Sequence, residues 1–582
     1  MKIKVNNINE LRKAVKLAEE HTEILVNEGV YEFDEPLILE KDNIKIIGNS
    51  DKCVFCGSKR ISISEGEKYS GDILKFDLKK YGINNVGDLS KGPYRDFWFD
   101  YEVPKPYMED YGMGAEIFYN EKSMPIVRYP KNGNMHIVDT LGETIVGDAI
   151  TGKERARNEG VFTCDDEHVK TWKNIEDILL VGYWHCDWAL QRHGIKSIDP
   201  DTGKITVDEP YHAFGYAKEK PFYAVNVFEE LTQKGEWYID RKNTLLYMIP
   251  YDNQSCFDIS VAEDIIVCEN QNNIAVENIT VCQCRKNGIK LKNCKNVHIT
   301  KCVIKNCGAW AVIADDCLKA SVTECCISDT GGGGISLCGG DRKSLKMSGN
   351  IIADNIIYNV AKWHRVYLPA LQLCGMGGEI TGNKIYDCPH FGILFYGNDI
   401  LIEKNELYNV CSEANDAGAI YSGKDWTCRG NVIRYNYIHD LIGKNKKGCV
   451  GIYLDDGLSS ADIYENVLAG IRTAIMIGGG RDSKVENNIM INCREQYYID
   501  NRYTKDYRKG GLQKLLSRLR DMPYQSEEWQ KKYPELYNIL DEEYKKPMGN
   551  TLKNNTFINC GKIQMFLDDD SSCLNMENNK EI

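Results

Sequence analysis

The chain has 582 residues, too many for one ordinary hydrophobic core, which implies two units or one elongated repeat. A formal net charge of −13 argues against a nucleic-acid partner, and no run of about 18 apolar residues marks a membrane span. The 23 cysteines form no small-domain disulfide framework, and the opening stretch lacks an apolar export segment, so the reading is a cytoplasmic protein with reduced thiols.

The first predicted element is a helix, "INELRKAVKLAEE", followed by "EILVNEGVYEFDEPLILEKDNIKIIG". We read residues 1–57 as a cap helix and a first coil, because the open end of a stacked core must be covered. "CVFC" at Cys53–Cys56 is a lone C-x-x-C without a second pair, and no metal or cofactor is expected. Residues 58–255 carry alternating strands around turn residues, as in 115–130 and 235–250, and read as an inserted β-sandwich-like domain. Within it, "YWHCDW" supplies Trp184, His185 and Trp188, which could roof a groove; packing in the insertion's own core is the competing reading for the tryptophans.

Residues 256–504, and again 549–582, repeat one unit: apolar, two variable residues, a fixed position, one variable residue, apolar. The fixed position runs Cys302, Cys325, Asn355, Asn383, Asn405, Asn436, Asn466, Asn488 and Asn555, with gaps of 23, 30, 28, 22, 31, 30, 22 and 67 residues. Coils of this length built from short strands predict an all-β parallel β-helix. The asparagines would stack, bond to one another and tolerate a left-handed turn, with the cysteines stacking as small hydrophobes. The long gap holds a helical insertion, 505–548, with Leu512, Leu515, Leu516 and Leu519 at helical spacing; residues 549–582 return to the coils.

Each coil has a second strand: "GISLCGGD" (334–341), "ALQLCGMG" (370–377), "GILFYGND" (392–399), "GAIYSGKD" (418–425), "GIYLDDGL" (451–458) and "AIMIGGGR" (474–481). Aligned by their first residues, they send Ile393, Ala419, Tyr421, Ile452 and Leu454 inward and Ile420, Ser422, Tyr453 and Asp455 outward. Asp456 occupies a turn position that is glycine in the other five units.

Several stretches in order along most of the chain, "VRYP" (127–130), "GEWYIDRKNTLLYMIP" (235–250), "NDAGAIYSGKDWTCRGNVIRYNYIHD" (415–440), "GIYLDDG" (451–457) and "YQSEEWQKKYPEL" (524–536), resemble right-handed β-helix glycosidases, closest in pattern to glycoside hydrolase family 141. The resemblance implies a right-handed helix and an oligosaccharide substrate, with α-L-fucosidase or xylan-directed activity. It also implies a catalytic pair of aspartates about forty residues apart. Asp416 matches the first, and Asp455 or Asp456 the second. The polygalacturonases are less similar, since their "GHG" and "RIK" motifs are absent.

Glycoside hydrolysis needs two carboxyls flanking the bond. Laid straight, Asp416 and Asp455 would stand about 20 Å apart. Either the loop "CSEANDAG" folds back over the strand face, or Asp425 at the neighbouring strand end is the partner. Glu413, Lys424, Trp426, His390, His364 and Tyr453 stand near these acids in sequence or register and are candidates for holding the sugar, with the insertion's Trp184, His185 and Trp188 above. Two other functions stay open: a polysaccharide lyase using Lys424, Arg429 or Arg365, and a non-catalytic carbohydrate-binding β-helix.

Overall fold

The computed structural model describes residues 1–89, 114–147, 151–505, 509–541, 543–568 and 571–582. Its frame is a solenoid of two long sheets, one of 24 strands and one of 13. Successive coils pair in parallel, and their apolar side chains fill the space between the sheets. The helix Ile8–Leu17 opens on Asn7, whose side chain accepts from the Glu10 N–H, and it buries Leu11, Ala14 and Val15 against the first coil.

The fixed position of the repeat is a continuous hydrogen-bonded ladder. Asn436 donates its backbone N–H and Nδ2 to Asn466 Oδ1 at 3.0 and 2.9 Å, and Asn405 does the same to Asn436. The chain of bonds runs from Asn355 to Asn488, crosses the long gap to Asn555 and ends on Asn579. Cys302 and Cys325 extend it, the Cys302 N–H donating to Cys325 Sγ. The left-handed conformation belongs to the residue before each ladder position, among them Lys404, Tyr435 and Glu465, and not to the asparagine. The asparagine bonds the next coil, and its neighbour makes the corner.

The first coil ends at a neck. Leu37–Leu39 and Ile44–Gly48 pair directly with Ile266–Glu269 and Asn272–Glu277, so the chain between them leaves the solenoid and returns to the next rung. At the neck, Ser58–Ser62 runs antiparallel to Cys256–Ser260. The body of this insertion is a small barrel where the sequence suggested a sandwich. Leu179–Gly182 pairs on one side with Gln191–Ile198 and on the other with Pro221–Val225, which closes the seven-stranded sheet on itself. Closure leaves one interior, filled by Phe162, Trp184, Tyr216 and Phe222.

The second insertion carries the helices Lys509–Asp521, Glu527–Lys532 and Pro534–Tyr537. Leu512, Leu515 and Leu519 pack with Trp529, Tyr533 and Leu536 against Trp426 and Tyr503 of the solenoid.

One strand differs from the sequence alignment by a single residue. In Gly418–Gly423, Ile420 pairs with Ile393 and Ile452, and Tyr421 pairs with Leu394 and Tyr453. Ile420 therefore continues the interior stack, and Tyr421 stands on the outer face beside Tyr453. A one-residue slip exchanges the two faces of a strand.

Candidate active site

The site is built on the outer face of two adjacent strands, Gly418–Gly423 and Val450–Asp455, and on the turn after the second. Asp455 ends its strand. Its Oδ2 accepts from Tyr421 Oη at 2.9 Å and its Oδ1 from Arg502 Nη1 at 2.7 Å. Asp456 follows in the left-handed region at φ 42°, which turns its carboxylate back so that the same Nη1 reaches its Oδ1 at 2.7 Å. Lys424 Nζ lies 3.9 Å from Asp456 Oδ2. Arg502 is itself fixed by Asp500, which takes Nε and Nη2 at 2.8 to 3.0 Å.

Asp416 joins this group because its loop folds back over the strand face. Tyr453 Oη donates to Asp416 Oδ1 at 3.0 Å, although the strands pair Gly418 with Val450. The fold-back brings the chain hard against its neighbour: a Cβ on Gly418 would stand 2.7 Å from Tyr453 Cβ, so only glycine fits. Asp416 keeps a solvent-exposed edge yet is ringed by protein on most sides, the setting of a cleft floor.

The electrostatics follow from Asp455, Asp456 and Asp500 on one guanidinium, with Asp416 close enough to feel it. Burial first, and then the Asp456 charge, push Asp455 up to about 6 against the pull of Arg502. Burial likewise raises Asp416, with Asp456 and Asp187 adding to the effect and Tyr453 and Arg502 opposing it. Burial and the adjoining carboxylates hold the Tyr421 and Tyr453 phenols protonated, so both are donors. Such a cluster titrates as a unit and retains a proton that an isolated aspartate would lose.

Asp425 lies elsewhere. It is buried, with Arg342 Nη1 at 3.2 Å, and accepts from Tyr396 Oη and from the Thr427 N–H and hydroxyl. Burial alone would raise it; Arg342, Arg518, Thr427 and Tyr396 outweigh that and hold it at about 2. It is a brace that stays charged at neutral pH, and the structure does not bring it to the Asp416 cluster.

The other sequence candidates divide. His185 and Trp188 line a groove of about 920 Å³ at one mouth of the inserted barrel. Between them in the chain, Asp187 accepts from Asn415 Nδ2 at 3.2 Å, so the groove meets the loop of Asp416. Trp184 does not roof the groove: its indole is wholly buried in the barrel, donating to the Gln191 carbonyl. Trp426 is likewise buried, under the helical insertion. Glu413 anchors the loop to its surroundings, taking Arg365 Nε at 2.6 Å and Tyr183 Oη at 3.2 Å. His364 and His390 are fully buried, and burial keeps both imidazoles neutral, His390 at about 3. His390 packs edge-on against Phe391, whose ring stacks on Tyr421 at 4.3 Å, so it reaches the site only through that ring. Of the bases considered for a lyase, Arg365 is paired with Glu413 and Arg429 with Asp482.

Sequence reading missed Tyr421, Arg502 and Asp187. Tyr421 was hidden by the one-residue slip. Arg502 follows the strand Glu495–Asp500, one coil beyond the last strand aligned, and its signal was the Asp500–Arg502 spacing at a strand end.

The family model described as "Right handed beta helix region" matches residues 253–365 and 370–505. The fold is thus an all-β, right-handed parallel β-helix. A solved glycoside hydrolase shares 13% identity and a TM-score of 0.57, with 100% of this chain and 96% of that chain covered. XylC, solved in complex with xylose, is 13% identical with a TM-score of 0.46, over 99% of this chain and 86% of the other. The GH136 lacto-N-biosidase from Eubacterium ramulus is 14% identical with a TM-score of 0.31, over 41% of this chain and 47% of that one. A search of the curated proteins finds no match.

Proposed function

We propose that this protein is a glycoside hydrolase in which Asp416 and Asp455 are the catalytic carboxyls and Asp456 shares the Arg502 clamp. The observation that carries the reading is the cluster itself: Asp416 held by Tyr453, and Asp455 held by Tyr421 and Arg502, on the outer face of two adjacent strands. Asp455, poised near pH 6, suits a group that must give a proton to a leaving oxygen and take one back. Asp416, with its solvent-exposed edge, suits attack on the anomeric carbon or activation of a water. The fold shared over its whole length with a solved glycoside hydrolase supports the reading without fixing the chemistry.

For the sugar, the family resemblance favours an α-L-fucoside, with xylan-derived oligosaccharides next. The contacts of the first insertion with the Asp416 loop and of the second with the Lys424 strand end support exo-action on short glycans. The 23 free thiols are compatible with a reducing compartment, where such an enzyme would meet imported oligosaccharides. The test is hydrolysis of aryl α-L-fucoside, β-D-xyloside, α-L-arabinoside and β-D-galactoside by the wild type beside Asp416→Asn. Release from one member that the variant loses supports the reading. Release that survives the variant removes Asp416 from the chemistry, and release from none, natural oligosaccharides included, rejects glycosidase activity.

A further inference from the structure

The groove at the barrel mouth is lined by more cations than carboxylates. In a chain of net charge −13, it is lined by three cations, Arg155, Lys218 and Lys220, against two carboxylates, Glu154 and Asp187. Glu154 is taken up by Arg157, whose Nε and Nη2 reach it at 2.7 and 3.0 Å. Lys218 is paired with Asp139 at 2.8 Å. Lys220 has no ion-pair partner among the described residues. Arg155 and Lys220 both bear on the His185 ring, whose pKa is lowered first by burial and then by these two charges. His185 shares the lining with both cations, so their charges face the same space.

The groove also lies beside the candidate chemistry. Asp187 lines it and accepts from Asn415, the residue before Asp416, and the Asp416 charge is felt at Cys186 on the same wall. Its volume of about 920 Å³ falls in the range of about 300–1,000 Å³ that ligand sites occupy. Trp188 adds an apolar wall, braced edge-on by Phe214 at 5.1 Å.

We propose that this groove binds an anionic sugar residue of the substrate, a uronate or a sulfated sugar, at a position beyond the bond that is cleaved. Lys220, with Arg155 beside it, takes the carboxylate or sulfate, and the apolar body of the ring lies toward Trp188. The placement of the rest of the substrate rests on the glycosidase reading above; the charge preference does not.

The test is binding of full-length Asp416→Asn protein to an array of uronate-bearing, sulfated and neutral oligosaccharides. It is repeated with Lys220→Glu and the milder Lys220→Gln in that background, after thermal unfolding shows that each variant is folded. Retained ligands that carry a carboxylate or a sulfate, with affinity lost roughly tenfold or more in Lys220→Glu and falling with salt, support the proposal. Which of the two anionic classes is retained identifies the group. Binding confined to neutral glycans, binding indifferent to Lys220→Glu, or no binding to any member overturns it. Aryl glycoside turnover by the wild type is read separately, so loss of the glycosidase reading and loss of the anion site are distinguishable.

Discussion

Four carboxylates act on one guanidinium: Asp455, Asp456 and Asp500 bond Arg502, and Asp416 feels its charge. Asp455 rises to about 6 from an ordinary 3.8, so the folded state binds its proton more tightly than the unfolded chain. Its contribution to stability is therefore full below about pH 3.8 and lost as pH rises through about 6. Asp455→Asn should then raise stability by about 1–3 kcal/mol at pH 7.5 in urea unfolding, and should abolish turnover. Asp425 carries the opposite sign. Held at about 2, it contributes stability that is present above about pH 3.8 and lost as pH falls through about 2. Breaking its buried pair with Arg342 by Asp425→Asn should cost about 3–5 kcal/mol. The two variants are expected to move stability in opposite directions at neutral pH, and a matching loss in both would contradict the division between an active carboxyl and a brace. If Asp455 is the proton donor, activity should fall as pH rises through about 6. Tyr421→Phe, which removes the phenol's bond to Asp455, should shift that limb of the pH profile and not merely scale the rate.

Among elements, the Asn ladder and the fold-back loop carry different weights. Each ladder asparagine satisfies a backbone N–H of the preceding coil, so Asn436→Ala leaves the Asn405 N–H buried without its acceptor. That should cost about 1–3 kcal/mol in urea unfolding, with turnover per folded molecule unchanged. Gly418→Ala should do the reverse. A methyl 2.7 Å from Tyr453 Cβ must displace the loop that carries Asp416, so turnover should drop on the order of 100-fold with a smaller loss of stability. The ladder could be read from sequence because one residue type at one position does one job in every coil. The register of Gly418–Gly423 could not. Aligning Gly418 with Gly451 assumed a shared reason for glycine, whereas Gly418 is small to admit Tyr453 and Gly451 to admit Ala474 and Leu468. Trp184 and Trp426 stand next to site residues in sequence, but each is drawn into an insertion's own core, a choice made by tertiary packing. Asp187 was out of reach for the same reason, since only the docking of the barrel brings it to Asn415.

For the whole molecule, the solenoid supplies the strands that carry the acids, and each insertion reaches the loop or strand ends beside them. The first insertion touches the Asp416 loop through Asn415 and Asp187 and through Glu413 with Tyr183. The second braces the strand ends, Arg518 donating to the Lys424 carbonyl and Leu515 closing on Gly457. Neither insertion interrupts the coils, because the strands on both sides of each pair directly with one another. This division explains why the fold follows from a repeated sequence pattern while the site depends on non-repeating residues from several coils and one insertion. The central claim is that the Asp416–Asp455 cluster cleaves a glycosidic bond. The most direct measurement is release of sugar from a mixture of plant oligosaccharides, read by mass spectrometry, for the wild type and for Asp416→Asn, Asp455→Asn and Asp425→Asn. The account predicts release by the wild type, a fall on the order of 100-fold or more in the first two variants, and retained turnover per folded molecule in the third. Equal release by the wild type and Asp455→Asn, or loss confined to Asp425→Asn, would contradict it.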